Sequence, residues 1–313
     1  MAITAFRDMK SFPQLMFSIF IIIVSFLAFM ILSLVLAIPL FGFSSIMNLA
    51  TNTNFSDPNT VMMLKFFQVV QSIGLFIIPP FIIAYLFHGK ISEYLCFNKS
   101  FDFTSLFLVV VLMFLATPFI NFLGEINSNM RLPEWMSGIE NWMRDSEDKA
   151  AELTEAFLKV NSLGGLFFNL FMIAVLPAIG EELLFRGVIQ RIFTRMTKNY
   201  HWGIWISAII FSALHLQFYG FVPRMLLGVL FGYLLVWSGS LWLPIAAHFV
   251  NNGVATVVMY FIDKGLLKPE VEEIGSTPGS YYIAIVSLLF ISVLLWLIKT
   301  QNKDNVIGNE YKR

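Results

Sequence analysis

The sequence predicts an all-α protein, a polytopic transmembrane helical bundle of about eight spans. Three observations lead there. Of 313 residues, 58% are hydrophobic and only 13% are charged, against about 25% charged in an ordinary soluble domain. The mean hydropathy is +0.76, more apolar surface than one water-facing core can bury but well matched to a bilayer. The 34 phenylalanines fit lipid-facing helices, which have no reason to exclude them. Net charge is zero, from 20 basic and 20 acidic residues, and no basic stretch suggests nucleic acid as a partner. The single cysteine, Cys96, excludes an intramolecular disulfide framework and a thiolate metal cluster. It reads as a plain thiol in a short loop, with no histidine motif to make it a nucleophile.

A spanning helix needs about 20 mostly apolar residues. Stretches that qualify are 15–41, 62–87, 104–123, 163–185, 203–218, 223–237, 242–262 and 281–298. The fifth and sixth are short by hydropathy alone. The first is too long for the roughly 7–15-residue core of a signal peptide and reads as an anchor. With eight spans both termini share one side. Twelve Lys and Arg residues fall on that side, Lys312 and Arg313 among them, and seven on the other. The bias predicts cytoplasmic termini in a multi-pass protein of the plasma membrane. Loop 42–60, with no Lys or Arg, agrees. The outer loop 124–162 is acidic, and 147–158 has helical spacing. Its charges read as a solvated face, with substrate guidance as the sharper alternative. Loop 263–279 ends at Pro278-Gly279. The tail after Lys299 is short and polar and reads as mobile. No internal repeat is visible.

Ionisable residues within a span are costly and are functional candidates by default. They are Lys65, Glu181, Glu182, Arg186, His215 and His248. Lys65 reads as snorkelling outward from the second span. The fourth span runs into Gly180-Glu181-Glu182-Leu183-Leu184-Phe185-Arg186-Gly187. Glu182 and Arg186 are four apart with the acid first, the favourable pairing order, and a guanidinium can grip a carboxylate through two bonds. Glu181 lies about 100° further round the helix. It lacks an obvious partner and is available for proton chemistry. The plainer reading of this patch is a helix-end ion pair at the cytoplasmic boundary. Pro177, one turn earlier, can open backbone or water access.

In the fifth span Phe211 and His215 share a face. A lone membrane histidine is often an interhelical hydrogen bonder. If the inner turn sits near Lys198, however, Glu181 and His215 are each seventeen residues from it (198 − 181 and 215 − 198) and reach similar depth. The extra helix would carry Arg191 and Arg195 to the cytoplasmic face. In the seventh span His248 and Asn252 project from one face, and both can donate to a developing oxyanion. Polar interhelical glue is the plainer reading. Asn251 is expected to point elsewhere, as a packing or lipid-boundary residue. His88 and His201 read as inert loop residues. Gly228 and Gly232 form a small-xxx-small face suited to close helix packing.

Together these patches resemble the CAAX-protease and bacteriocin-processing family (CPBP, or Abi), which includes the CAAX prenyl endopeptidases of the Ras-converting type. Its Glu-Glu-x-x-x-Arg, Phe-x-x-x-His and His-x-x-x-Asn motifs read here Glu181-Glu182-Leu-Leu-Phe-Arg186, Phe211-Ser-Ala-Leu-His215 and His248-Phe-Val-Asn-Asn252. The resemblance covers roughly 163–260 and implies an intramembrane endopeptidase. It implies that Glu181 activates water with help from His215, that His248 and Asn252 hold the oxyanion, and that Glu182 and Arg186, with Phe211, support the site. The family has been described as both metalloproteases and glutamate proteases. Glu181, His215 and His248 could supply three zinc ligands and leave a fourth position for water. The missing His-Glu-x-x-His helix and the placing of Asn252 beside His248 favour the metal-free version.

The chain therefore divides into N-terminal helices with the acidic loop (1–162), a catalytic core (163–262), and a last span with its tail (263–313). The expected partners are the lipid bilayer and a peptide or protein substrate, lipidated or plain. Two other classes compete. One is a non-catalytic immunity factor or scaffold using the same polar residues for structure. The other is a transporter, which would show inverted repeats and broken helices in matching halves.

Overall fold

A computed structural model describes residues 6–51 and 53–307. They form eleven helices and no strand. In order these are α1 (Ser11–Phe41), α2 (Phe43–Thr51), α3 (Pro58–Phe87), α4 (Ile91–Tyr94), α5 (Phe103–Ser128), α6 (Ser137–Leu158), α7 (Leu163–Thr197), α8 (Tyr200–Ala213), α9 (Phe221–Ser238), α10 (Trp242–Asp263) and α11 (Tyr281–Gln301). Among the described residues seven helices are long and apolar enough to span a bilayer: α1, α3, α5, α7, α9 with the turn before it, α10 and α11. The all-α polytopic bundle is the architecture expected.

The fifth expected span is not among the seven. α8 has 14 residues, about 21 Å at 1.5 Å per residue, against a hydrocarbon layer of about 30 Å. It ends because the His215 and Leu216 amides turn back onto the Ser212 and Ala213 carbonyls, at 3.3 and 3.1 Å. Leu216 then takes φ +54°, a left-handed conformation that no right-handed helix continues through. His215 therefore sits in a turn, not on a continuous helix.

α7 departs in the other direction. It runs 35 residues to Thr197, so Glu181 has 18 residues before it and 16 after (181 − 163 and 197 − 181). The Glu182–Arg186 patch is mid-helix, and the helix-end reading falls. The reversal comes where expected: Lys198 is left-handed at φ +56°, and the Asn199 side chain caps α8 by accepting from the His201 amide at 2.8 Å.

α1 is packed in the sense that lipid demands. Its inward face carries Gln14, Ser18, Ile21, Ser25, Ser33 and Ala37, spaced by threes, fours and an eight. Phe12, Phe20, Ile23, Ile31 and Leu40 face outward. Lipid is as apolar as leucine, so burying leucine gains little there, while small residues let helices approach. Ser25 Oγ donates to Gly74 O of α3 at 2.6 Å.

The expectations for Lys65 and for the tail change. Lys65 does not snorkel outward: it is buried, and its Nζ donates to Phe157 O at 2.7 Å and Asn169 Oδ1 at 2.9 Å. α6 folds back over α3 and supplies one acceptor, α7 the other, and together they compensate the ammonium locally. Arg191 is half-buried under α4, its guanidinium 4.4 Å over the Tyr94 ring and its Nη2 3.5 Å from Cys96 Sγ. The tail is anchored as far as residue 307. Asn302 Nδ2 donates to Ser105 Oγ at 2.8 Å, Ile307 N donates to Val236 O at 3.0 Å, and the Ile307 side chain joins the core. Residues 308–313, with Lys312 and Arg313, lie outside the described residues.

Candidate active site

The centre of α7 is shaped by two residue types. Gly180 packs directly on α3, where a Cβ would lie 2.7 Å from Phe76 Cβ. Pro177 has no N–H, so the carbonyl four residues back, Ile173 O, loses its helical donor. Wide turns of helix at Leu170–Val175 and Leu183–Ile189 flank this stretch, a feature frequent at functional sites. Asn252 of α10 supplies the missing donor, with Nδ2 3.0 Å from Ile173 O. Its Oδ1 accepts from Asn251 Nδ2 at 3.1 Å.

Glu182 and Arg186 are 0% and 1% exposed. Arg186 Nη1 lies 3.0 Å from Glu182 Oε1, and Nη2 donates to Gly228 O at 3.0 Å. The guanidinium also faces the rings of Phe211 (4.8 Å) and Phe231 (5.4 Å), so a charge removed from water is matched on several sides. Gly228 makes this possible, since a Cβ there would lie 3.0 Å from Ala208 Cβ and 3.3 Å from Arg186 Nη2. Gly232 packs likewise on Ile204 and Gln190. The pair is not the two-bond grip that spacing allows. Glu182 Oε1 is shared with His248, whose Nδ1 is 2.9 Å away, and Oε2 has no hydrogen-bond partner among the described residues.

His248 thus joins both acids. Its Nε2 lies 3.8 Å from Glu181 Oε2, so Glu181 has a neighbour that spacing did not reveal. The ring stacks on Phe231 at 5.2 Å. His215 is oriented by its own helix: Nδ1 lies 2.8 Å from Phe211 O. A carbonyl only accepts, so Nδ1 carries hydrogen and the neutral ring keeps its lone pair on Nε2.

One cavity of about 500 Å³ is lined by Glu181 from α7, Phe211 and the following His215, and His248 and Asn252 from α10. Glu182 and Arg186 lie behind it. Four further polar residues line it: Gln68 of α3, Thr154 of α6, Arg224 of α9 and Asn251. Asn251 was expected to face away; the cavity is wide enough to take residues 100° apart on α10. Gln68 had a signal, an amide one turn from Lys65 in an apolar stretch. Arg224 was hidden because a cation at the start of a span reads as a loop charge. Leu153, Thr154 and Phe157 of α6 close the cavity. α6 is held there by Lys65, by Asn169 Nδ2 on Phe157 O (2.8 Å) and by Glu147 Oε2 accepting from Tyr219 N (3.1 Å). On its outer part, the Arg144 hydrogen bond holds the Glu140 carboxyl below its ordinary range. A larger cavity, about 1030 Å³, lies near Phe41, Phe66 and Phe168 and contains none of the three motifs, so size alone does not mark the site.

Among the described residues no three His, Cys, Asp or Glu side chains converge closely enough to hold a metal ion. Glu181, His215 and His248 share a cavity wall.

Residues 163–254 match the Rce1-like family, described as Type II CAAX prenyl endopeptidase Rce1-like. The match begins at the first residue of α7 and ends two residues past Asn252. The resemblance carried by the three motifs is therefore to a family that this segment matches as a whole. The uncharacterized protein YpbD of Bacillus subtilis (strain 168) is 32% identical over 90 residues, 28% of this chain. The chain spans 43% of that relative's length. No solved structure matches.

Proposed function

We propose that this chain is an intramembrane endopeptidase of the CAAX-protease type that hydrolyses a peptide bond in a hydrophobic or membrane-associated substrate. The observation that carries the reading is the meeting of Glu181, His215, His248 and Asn252 around one cavity in the middle of an apolar bundle. Water held between Glu181 and His215 Nε2 attacks the scissile carbonyl carbon, and Glu181 takes the departing proton. The carbonyl π electrons move onto oxygen, and the oxyanion is held by the His248 Nε2–H and the second Nδ2–H of Asn252. The Glu182 carboxylate, 2.9 Å from His248 Nδ1, fixes the ring with its Nε2 towards Glu181. Collapse breaks the C–N bond, and the leaving nitrogen takes the proton from Glu181. The products are an acid and an amine. No metal takes part. Both termini face the cytoplasm, as the Lys and Arg distribution favours. α8, although short of a full span, runs antiparallel to α7 and α9, with Ala208 against Gly228 and Ile204 against Gly232, and so still counts as a reversal.

A second reading, a non-catalytic scaffold or immunity factor, is favoured by one fact: Asn252 and Glu182 already make structural bonds. The experiment uses chelator-treated protein in detergent and a quenched fluorescent library of prenylated and plain hydrophobic peptides. Wild type should cleave. Glu181→Ala and His215→Ala should lose at least about 100-fold while eluting as folded protein. Turnover retained in both variants removes the mechanism. Loss on chelation that zinc restores moves it to a metal.

A further inference from the structure

We infer that Arg224 reads the substrate, binding a carboxylate that the peptide carries; this rests on the peptidase reading and adds a substrate class to it. Arg224 lines the same cavity as Glu181, His215 and His248, and no other Arg or Lys lines it. Its seat is built. The guanidinium lies over Gly220, where a Cβ would sit 3.0 Å from Nη2. Gln217 fixes it, accepting from Nη2 at 2.9 Å through Oε1 and from Nη1 at 3.3 Å through its carbonyl.

Two of the five guanidinium N–H groups are thereby used. Both acceptors are neutral. Arg224 is in none of the ion pairs among the described residues. The carboxylates whose field reaches it are Glu147 and Glu181. Glu147 is engaged by the Tyr219 amide, and Glu181 faces His248.

The contrast with Arg186 is direct. That cation is matched by a carboxylate, a carbonyl and two rings; Arg224, at the cavity wall, is held half-buried by neutral oxygens and has N–H groups beyond the two that Gln217 engages. A half-buried cation that forms no close ion pair is costly, and a carboxylate arriving with the substrate at contact distance would offset more of that cost than Glu147 and Glu181 do from further away. A carboxylate fits the guanidinium fork and brings one negative charge. A phosphate would bring close to two, beside Glu181, against one cation.

The carboxylate could be a peptide's C-terminus or an Asp or Glu side chain. Three quenched peptides of one hydrophobic sequence separate these sources: the free acid, the C-terminal amide, and an amide ending in Asp. With the full chain in detergent, wild type should cleave the free acid or the Asp amide with kcat/KM at least about tenfold above the plain amide, the scale of one charge-assisted hydrogen bond. Preference for the free acid assigns the C-terminus; preference for the Asp amide assigns a side chain. Arg224→Gln should bring the ratio close to one, and Arg224→Lys should keep part of it. A wild type without preference, or an unchanged ratio in Arg224→Gln, overturns the inference.

Binding is read separately on Glu181→Gln as thermal stabilisation by each peptide. It should favour the carboxylate-bearing peptide and disappear in Glu181→Gln/Arg224→Gln. Binding with this preference but no wild-type cleavage would sink the peptidase reading and leave the carboxylate site standing. Cleavage without preference would do the reverse. Neither cleavage nor binding overturns both.

Discussion

α1 and α7 are both long apolar helices, and they solve opposite problems. α1 has no ionisable residue in 31 positions; it turns Phe20, Ile31 and Leu40 outward, each at least 59% exposed, and keeps serines and Gln14 inside. α7 carries Glu181, Glu182 and Arg186 at its centre, and every residue from 182 to 190 is buried. The difference shows what a membrane bundle has to protect. Apolar side chains need no shelter from lipid, whereas a charge does, so the charged helix is the one wrapped by protein.

The strongest way to break that comparison is to strip one partner from the wrapped charge. Arg186→Met leaves Glu182 buried with His248 as its remaining partner. It should cost about 3–5 kcal/mol, read as a large fall in thermal midpoint in detergent. Glu182→Gln/Arg186→Met should recover much of the loss, and Ile31→Ala on the lipid face of α1 should move the midpoint little. Equal effects of Arg186→Met and Ile31→Ala would dissolve the contrast.

A smaller effect tests how closely α7 is enclosed. Gly180→Ala places a Cβ 2.7 Å from Phe76 Cβ, an atom tied to its own backbone and unable to swing aside. A loss of about 1–3 kcal/mol is expected, despite alanine's better helix propensity. A stabilised variant would mean that α7 and α3 are less closely packed than the structure has them.

The smallest effect sharpens the role of Asn252. Pro177→Ala returns an N–H that can serve Ile173 O, so the Asn252 bond becomes partly redundant. In a double-mutant cycle Asn252→Ala should cost about 1 kcal/mol less on the Pro177→Ala background. Purely additive stabilities would show that Asn252 is not held in place by the proline's missing donor.

Much of this was readable along the chain. Hydropathy located seven long helices, and Gly228 and Gly232 announced a close helix contact. The Glu-Glu-x-x-x-Arg, Phe-x-x-x-His and His-x-x-x-Asn spacings picked out residues that line, or lie directly behind, one cavity. The inside-out face of α1 was also present, as serines and Gln14 at helical spacing, though an average over a window hides it. Other features left no local trace. α8 stops at Ala213 because of a backbone turn at Leu216, which hydropathy does not see. Lys65 is buried because α6, more than 90 residues away, folds over it.

What the sequence determined by itself is the solvent and the periodicity: a helical bundle in lipid, with a few polar residues placed at spacings that keep each motif on one helix face. What only the tertiary structure decided is who meets whom. His248 bridges Glu182 and Glu181 across 66 residues of chain, Asn252 serves a carbonyl that Pro177 orphaned, and Arg224 turns into the cavity. Spacing sets directions relative to a helix's own axis. Partners depend on how each helix is rotated and how closely it crosses its neighbours, and the glycines, prolines and buried polar groups of all the helices settle that together.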